Sequence, residues 1–311
     1  MKPIQWTRRI FHLVTRNCGA PLGPWCLRAD FGARAWRSLR LGAALISLTI
    51  CFPALAVSQQ SEPSLDAQAI IQRSVQANNL DWKQAPEYNY LETDREEGGG
   101  TKTHEVTMIL GSPYERLVAV NGEPLSADQQ QEEQSKMEQV IATRRKESPR
   151  QRAQRVARYE RDRKRDHLLM QQLTEAFDFT LQGTQKLGPY EVYWLKATPR
   201  AGYRPPNLQS KVLTGMEGQL WVDTKTYQWV KVEATVIHPV SIEGFVARVE
   251  PGTRFELENT RVADDLWLPK HFAMKASAKI LMLFNHREQQ DQTFSDYRKA
   301  EADSPVSSAG R

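Results

Sequence analysis

From Phe177 to Lys299 the sequence is a succession of short apolar and polar alternations, joined by only a few polar or glycine residues. FDFTLQG, YEVYWLKATP, GQLWVD, WVKVEATVI, TRFELENTRV, HFAMKASA, KILMLFNH and TFSDYRK follow one another, mostly across joints too short for a crossover helix. Parallel neighbours need a connection of about a dozen residues or more, so these joints force antiparallel pairing. YNYLETD (88–94), THEVTMIL (103–110) and YERLVAV (114–120), the last closing on Asn121-Gly122, add three strands and bring the expected total to about eleven. In GQLWVDTKTYQWVKVEATV (218–236), Leu220 and Val222 share one face of the first strand, and Val230, Val232, Ala234 and Val236 share one face of the second. Gln219, Asp223, Lys231, Glu233 and Thr235 fall on the opposite faces, the pattern of a sheet wetted on one side only. A meander this long must close into a barrel, fold into a sandwich or curl around helices to cover its apolar face.

Two segments supply the helices. SLDAQAIIQRSVQANN (64–79) predicts an amphipathic helix, with Ser64 as N-cap, Asp66 in the first turn, and Ala67, Ile70, Ile71, Ser74 and Val75 on one face. Residues 126–176 break the strand pattern with helix formers interrupted once by Pro149, which predicts two helices around a bend. The expected class is therefore mainly β with helices: a curled antiparallel meander, or incomplete β-barrel, with an N-terminal helix and a helical lid or insert.

Charge is concentrated in that insert. Arg144 to Asp166 carries eleven basic and four acidic residues. One reading is a solvated helix face laced with pairs such as Glu160 to Lys164. The other is an arm that docks on an envelope protein partner or an anionic membrane surface through Arg152, Arg155, Arg158 and Arg161.

The formal charge of +5 over 311 residues invites a nucleic-acid reading, which the placement of the charges removes. Residues 1–40 hold eight basic residues against Asp30, and are followed by LGAALISLTICFPALAV with a small-x-small end at Ala54-Leu55-Ala56. This is the pattern of a secretory signal cut after Ala56. Uncleaved, it would be a signal anchor in the inner membrane, although the apolar run is shorter than the ~20 residues of a spanning helix. TRRIFHL (7–13) resembles a twin-arginine export motif but stands far from the apolar run, and the route of export stays open, as does the true translation start. Beyond Ala56 remain 34 of the 42 basic and 36 of the 37 acidic side chains, close to neutrality. Cys18, Cys26 and Cys51 all lie before the cut, so the exported domain has neither disulfide nor thiolate site and stands on its hydrophobic core. The expected division is a signal peptide over 1–56, a linker over 57–63, the domain over 64–298 with the charged insert 126–176, and a disordered tail over 299–311.

Enzymatic chemistry finds little support. His104, His167, His238, His271 and His286 show no HExxH or other paired metal spacing, there is no GxSxG, and the domain has no cysteine nucleophile. His286 with Glu288 and Asp291 is the best local acid–base group and reads more simply as a polar strand end. Gly98-Gly99-Gly100 lacks the Lys-Ser/Thr of a phosphate loop and reads as a hairpin tip. Trp194, Trp221, Trp229 and Trp267 read as cross-strand packing rather than a sugar platform, and EGFVARVEPGTRF (243–255) as a rim loop. No cofactor, metal or nucleic acid is expected, and the protein is expected to be a monomer.

What remains is a concave apolar face incompletely filled by helices, which suits acyl chains. Leu220, Val222, Val230, Val232, Phe255, Leu257, Phe272, Met274, Ile280 and Met282 share the phase expected of its wall. YEVYWLKATP, LWVDTKTYQWVKVEATV and FELENTRVADDLWLPKHFAM, in that order after a helix and a first hairpin, resemble the periplasmic LolA-like family of outer-membrane lipoprotein carriers. That resemblance spans 64–298 and implies an incomplete barrel, a helical lid over an apolar cavity, and a lipid or lipoprotein acyl chain as ligand. The same fold resembles the N-terminal part of envelope-stress regulators, which implies a sensing or interaction role as the alternative. The insert is longer than the family's lid region, and no residue here matches its lid-anchoring arginine.

Overall fold

The computed structural model describes residues 66–95, 98–242, 247–280 and 284–300. The signal, linker and final residues assigned from the sequence lie outside the described residues, as do Met282 and the side chain of Ile280. Helix α1 (Ala67–Gln84) starts two residues later than expected: Asp66, rather than Ser64, is the N-cap, its side chain accepting from the Gln68 N–H at 3.1 Å. It also runs past residue 79 and stops only where Pro86 bars continuation.

The strands are β1 (Tyr88–Arg95), β2 (Thr101–Ile109), β3 (Ser112–Val120), β4 (Glu123–Pro124), β5 (Phe177–Leu187), β6 (Tyr190–Pro199), β7 (Met216–Asp223), β8 (Trp229–Val236), β9 (Val240–Ile242), β10 (Ala247–Val249), β11 (Arg254–Ala263), β12 (Leu266–Ile280) and β13 (Phe284–Lys299). They form one antiparallel sheet in the order β4-β3-β2-β1-β13-β12-β11-β8-β7-β6-β5, with the β9–β10 pair attached to β12. The sheet does not close: β4 and β5 are its free edges.

Three details depart from the sequence reading. HFAMKASA and KILMLFNH are not two strands, because Lys279 and Ile280 finish β12 and Phe284 opens β13, so the hairpin turn sits inside an apolar run. Residues 247–249 of the expected rim loop form β10, paired to β12 and buried at Ala247 and Val249. Strand β13 reaches Lys299, paired with Tyr88, so Lys299 belongs to the sheet rather than to the expected tail.

Between the two edges run helices α2 (Ala127–Arg145) and α3 (Pro149–Gln171), which bend at Pro149 as expected. Both begin with a capping box, Ser126 with Gln129 and Ser148 with Gln151. The bend clasps the β2–β3 turn. Arg144 donates to the Ile109, Ser112 and Pro113 carbonyls, and Arg155 to the Leu110 carbonyl, the Ser112 hydroxyl and the Glu147 carboxylate. Gly111 makes this approach possible: its φ is +90°, and a Cβ there would meet Val156 Cγ2 at 3.0 Å.

The clasp yields a paired prediction. Gly122 also has positive φ, at +81°, but a Cβ there would meet nothing within 4 Å. Gly122→Ala should cost only backbone strain, about 1 kcal/mol, and Gly111→Ala about 2–3 kcal/mol because α3 must also yield. Urea unfolding of the two variants measures the difference, and equal losses would mean that α3 does not press on this turn.

Candidate functional site

The register of the sheet sets out the inner face. Leu195, Leu220, Val232, Leu257 and Phe272 lie side by side across β6, β7, β8, β11 and β12. The row then changes character, continuing into Gln292 of β13 and Asp94 of β1. Gln292 Nε2 donates to Asp94 Oδ1 at 2.6 Å and to Glu92 Oε1 at 2.8 Å, and Gln290 donates to Gln292. The concave face therefore carries a local hydrogen-bonded polar network at this point, while Tyr90, Val106 and Phe294 continue the apolar cluster on β1, β2 and β13.

Helix α1 covers part of the apolar row, packing Ala67, Ile70 and Ile71 on Leu195, Leu220, Val222 and Trp229. A second cluster, containing Phe177, Leu213, Met216, Phe255, Phe272 and Met274, fills the far end. Between the two lies a cavity of about 250 Å3. Its walls include Leu220, Val232, Phe255, Leu257 and Phe272, five of the residues expected from the sequence, together with Phe177, Phe179, Leu173, Met216, Trp229 and Trp267.

The other expected wall residues lie elsewhere. Val222 has the expected facing but is fully buried under α1, and Met274 is packed in the far cluster; neither lines the cavity. Val230 is turned away altogether and is buried with Val192, Trp221 and Trp267. The cause is a bulge: Trp221 pairs with Lys231 but Val222 pairs with Trp229, so Val230 is the extra residue and Trp229 takes the inward position. Ile280 at its side chain and Met282 lie outside the described residues.

Where α1 and α3 meet, Trp82, Arg163 and His167 close the cavity. The His167 ring stacks on Trp82 at 4.4 Å, and the Arg163 guanidinium sits over the Trp82 ring at 4.5 Å while donating to the Trp82 carbonyl and to Glu160. Burial, with the neighbouring Arg163 charge, pushes the His167 pKa down, favouring a neutral imidazole against the indole. These residues escaped the sequence reading because the helix was expected to end at residue 79. Once α1 extends to Gln84, the spacing 71, 74, 78, 81, 82, 85 carries its inner face directly to Asp81 and Trp82.

Asp81 is the most unusual group in the wall. It is buried, and one oxygen accepts from the Trp267 N–H at 3.2 Å. Burial pushes its pKa up to about 7, against the lowering effect of that bond and of Gln228. The other ionisable residues of the wall are Arg163, His167, Glu217, Glu233 and Glu256, and none of the described lining residues is Ser, Thr, Cys, Lys or Tyr. Among the described residues, no group of three or more His, Cys, Asp or Glu could hold a metal ion. His286 and Glu288 do not meet Asp291 as a group, since Asp291 pairs instead with His271 at 3.2 Å and Arg95 at 3.7 Å.

Of the four arginines expected to dock, Arg158 and Arg161 are exposed, whereas Arg155 is spent in the clasp and Arg152 is half-buried. Three-residue spacing walks around the helix, so the four positions do not share one face. Among the tryptophans, Trp221, Trp229 and Trp267 are buried in packing clusters, and Trp194 donates to Gln219 at 2.8 Å.

Asp81 makes stability pH-dependent with a definite sign. Its folded pKa lies above the ordinary carboxylate value, so the penalty is absent below about pH 4, grows as pH rises, and is complete above about pH 7. From about pH 5 to about pH 8 the wild type should lose stability relative to Asp81→Asn, on the order of a few kcal/mol. Parallel urea titrations at several pH values measure this, and parallel pH profiles for the two proteins would refute it.

No protein-family model matches the sequence, and no curated protein matches it significantly. The chain is similar to a solved DUF1329 family protein from Desulfovibrio piger, with 11% identity over 75% of this chain and 92% of that one, at a TM-score of 0.29. It is similar to a putative outer membrane lipoprotein-sorting protein domain from Vibrio parahaemolyticus, with 11% identity over 73% and 92% and a TM-score of 0.27. A third likeness is to the Pseudomonas aeruginosa MucA/MucB complex, with 13% identity over 76% and 100% and a TM-score of 0.21. At TM-scores this low the chains do not superpose as whole domains. On its own geometry the chain is an unclosed antiparallel sheet with helices crossing an apolar concave face, the curled meander with a helical cover expected from its sequence.

Proposed function

We propose that this protein is an exported, periplasmic binding protein that holds lipid or lipoprotein acyl chains in the cavity between α1, α3 and the curled sheet. The observation that carries the reading is the cavity itself, about 250 Å3 of apolar-walled space inside an otherwise packed domain. The pocket is partly open rather than sealed, and apolar wall left unburied is unfavourable by roughly 25 cal/mol per Å2. Space retained against such a cost is best understood as space for a ligand, and a wall of Leu, Val, Phe, Met and Trp with few polar groups selects an alkyl chain. Export fits the leader over 1–56, and among the described residues no helix is long and apolar enough to cross a membrane.

Two measurements test this. Val232→Trp would fill the cavity from a half-buried wall position, so binding of a fluorescent fatty acid should weaken at least tenfold while the thermal midpoint changes little. Met274→Ala, in the packed cluster beside it, should instead cost about 2–5 kcal/mol of stability and leave binding largely intact. If Val232→Trp destabilises by the ~1–3 kcal/mol of an overpacked core without affecting the probe, the cavity is not the ligand site. Separately, N-terminal sequencing of protein from the cell envelope should start at Val57; an intact leader in the membrane fraction would make the segment an anchor.

A further inference from the structure

We propose that the outward face of α3 is a docking surface for a bilayer containing anionic phospholipid. Arg150, Arg158, Arg161 and Lys164 are exposed, and on a helical projection they fall with Leu168 within about 120°. Arg145 and Lys146 extend the same charge around the bend and are also exposed. None of these six cations has an ion-pair or hydrogen-bond partner among the described residues.

Three acidic residues of the same segment are engaged with other cations. Glu147 is held by Arg155 at 2.6 Å, Glu160 by Arg163 at 3.2 Å, and Asp162 by Arg165 at 2.7 Å. The i, i+4 pair between Glu160 and Lys164 that a solvated helix would use is therefore not made. A stripe of uncompensated cations ending in Leu168, 45% exposed, matches a membrane interface, in which lipid phosphates meet the charge and the acyl boundary receives the leucine.

The opposite face of the same helix lines the cavity through Arg163, His167 and Met170. A bilayer seated on the outward face would lie only one helix diameter, ~10 Å, from the cavity. The surface assignment stands apart from the carrier reading, because it depends only on the outer face.

Co-sedimentation with vesicles of phosphatidylglycerol and phosphatidylcholine, against vesicles of phosphatidylcholine alone, tests it. Wild-type protein beginning at Val57 should bind the anionic vesicles at low ionic strength and be released by salt, since the attraction acts through exposed charge. The triple variant R158E/R161E/K164E should bind at least tenfold more weakly, with an unchanged thermal midpoint and unchanged affinity for the fluorescent fatty acid. Should the triple variant fail to fold, the corresponding glutamine variants and the salt titration of the wild type give the same discrimination. Equal binding to both vesicle types, or undiminished binding by the variants, overturns the proposal. Retention on soluble polyglutamate without vesicle binding also overturns it and assigns the stripe to an acidic protein. Loss of fatty-acid binding in the wild type would refute the carrier reading and leave the vesicle result standing.

Discussion

The pairing of β1 with β13 decides the rest of the architecture. By joining the first strand of the domain to the last, from Tyr88 opposite Lys299 to Asp94 opposite Gln292, it seals the sheet where the chain enters and leaves. The remaining edges, β4 and β5, are consecutive strands in the chain, linked through α2 and α3. The helices must therefore travel from one edge to the other, and the 23 residues of α3, about 35 Å of helix, supply the reach. The same arrangement manages the edges, since β4 is only two residues long and offers little backbone for a foreign strand. A sheet that instead paired β4 with β5 would be a closed barrel with no place for a helical cover.

Covering differs from filling, and the inner face shows where the difference arises. From β6 to β12 the inward row is Leu195, Leu220, Val232, Leu257 and Phe272, and α1 covers only the end beneath Ile70, Ile71 and Val222. Beyond β12 the row becomes Gln292 and Asp94, with Gln292 donating to both Asp94 and Glu92. A polar network of this kind is stable when its members stay mutually satisfied, and it interrupts the apolar row locally while Tyr90, Val106 and Phe294 carry the apolar core past it. The cavity lies on the β6–β12 side and is bounded by packing at its two ends.

Period-two alternation made the strands, their antiparallel order and five wall residues legible, because a half-buried sheet writes its facing into every second side chain. It failed where the backbone departs from the period. The bulge opposite Val222 leaves no mark in WVKVEATV, whose valines at 230 and 232 look equivalent, yet it sends Val230 to one face and Trp229 to the other. Helix ends were similarly obscured. Asn78-Asn79 reads as a stop, but burial of Asp81 and Trp82 against β12 and α3 draws the helix on to Gln84, a tertiary effect that local propensity does not contain. The charge of the insert was plain, whereas its division between clasp and outer face depended on how α3 packs. Arg155 and Arg158 are three residues apart, yet one holds Glu147 and the Leu110 carbonyl and the other faces water.

The two covering helices are held with different firmness, and this bears on how the cavity could accept anything larger than itself. Helix α3 is fixed near its start by Arg155 and the Arg144 side chain just before it, and at its far end leads through a single short turn into β5. Moving it as a body would break those bonds and pull on an edge strand. Helix α1 follows a different rule. Its attachments are an apolar face, the Arg73 bond to the Tyr227 hydroxyl at 2.8 Å, the ring and carbonyl contacts of Trp82, and the Asp81 bond to β12. One of these carries a carboxyl whose pKa burial raises to about 7, so its charged form is disfavoured where it sits. Widening the cavity on the α1 side therefore breaks fewer directed contacts than lifting α3, and it relieves rather than creates a desolvation penalty.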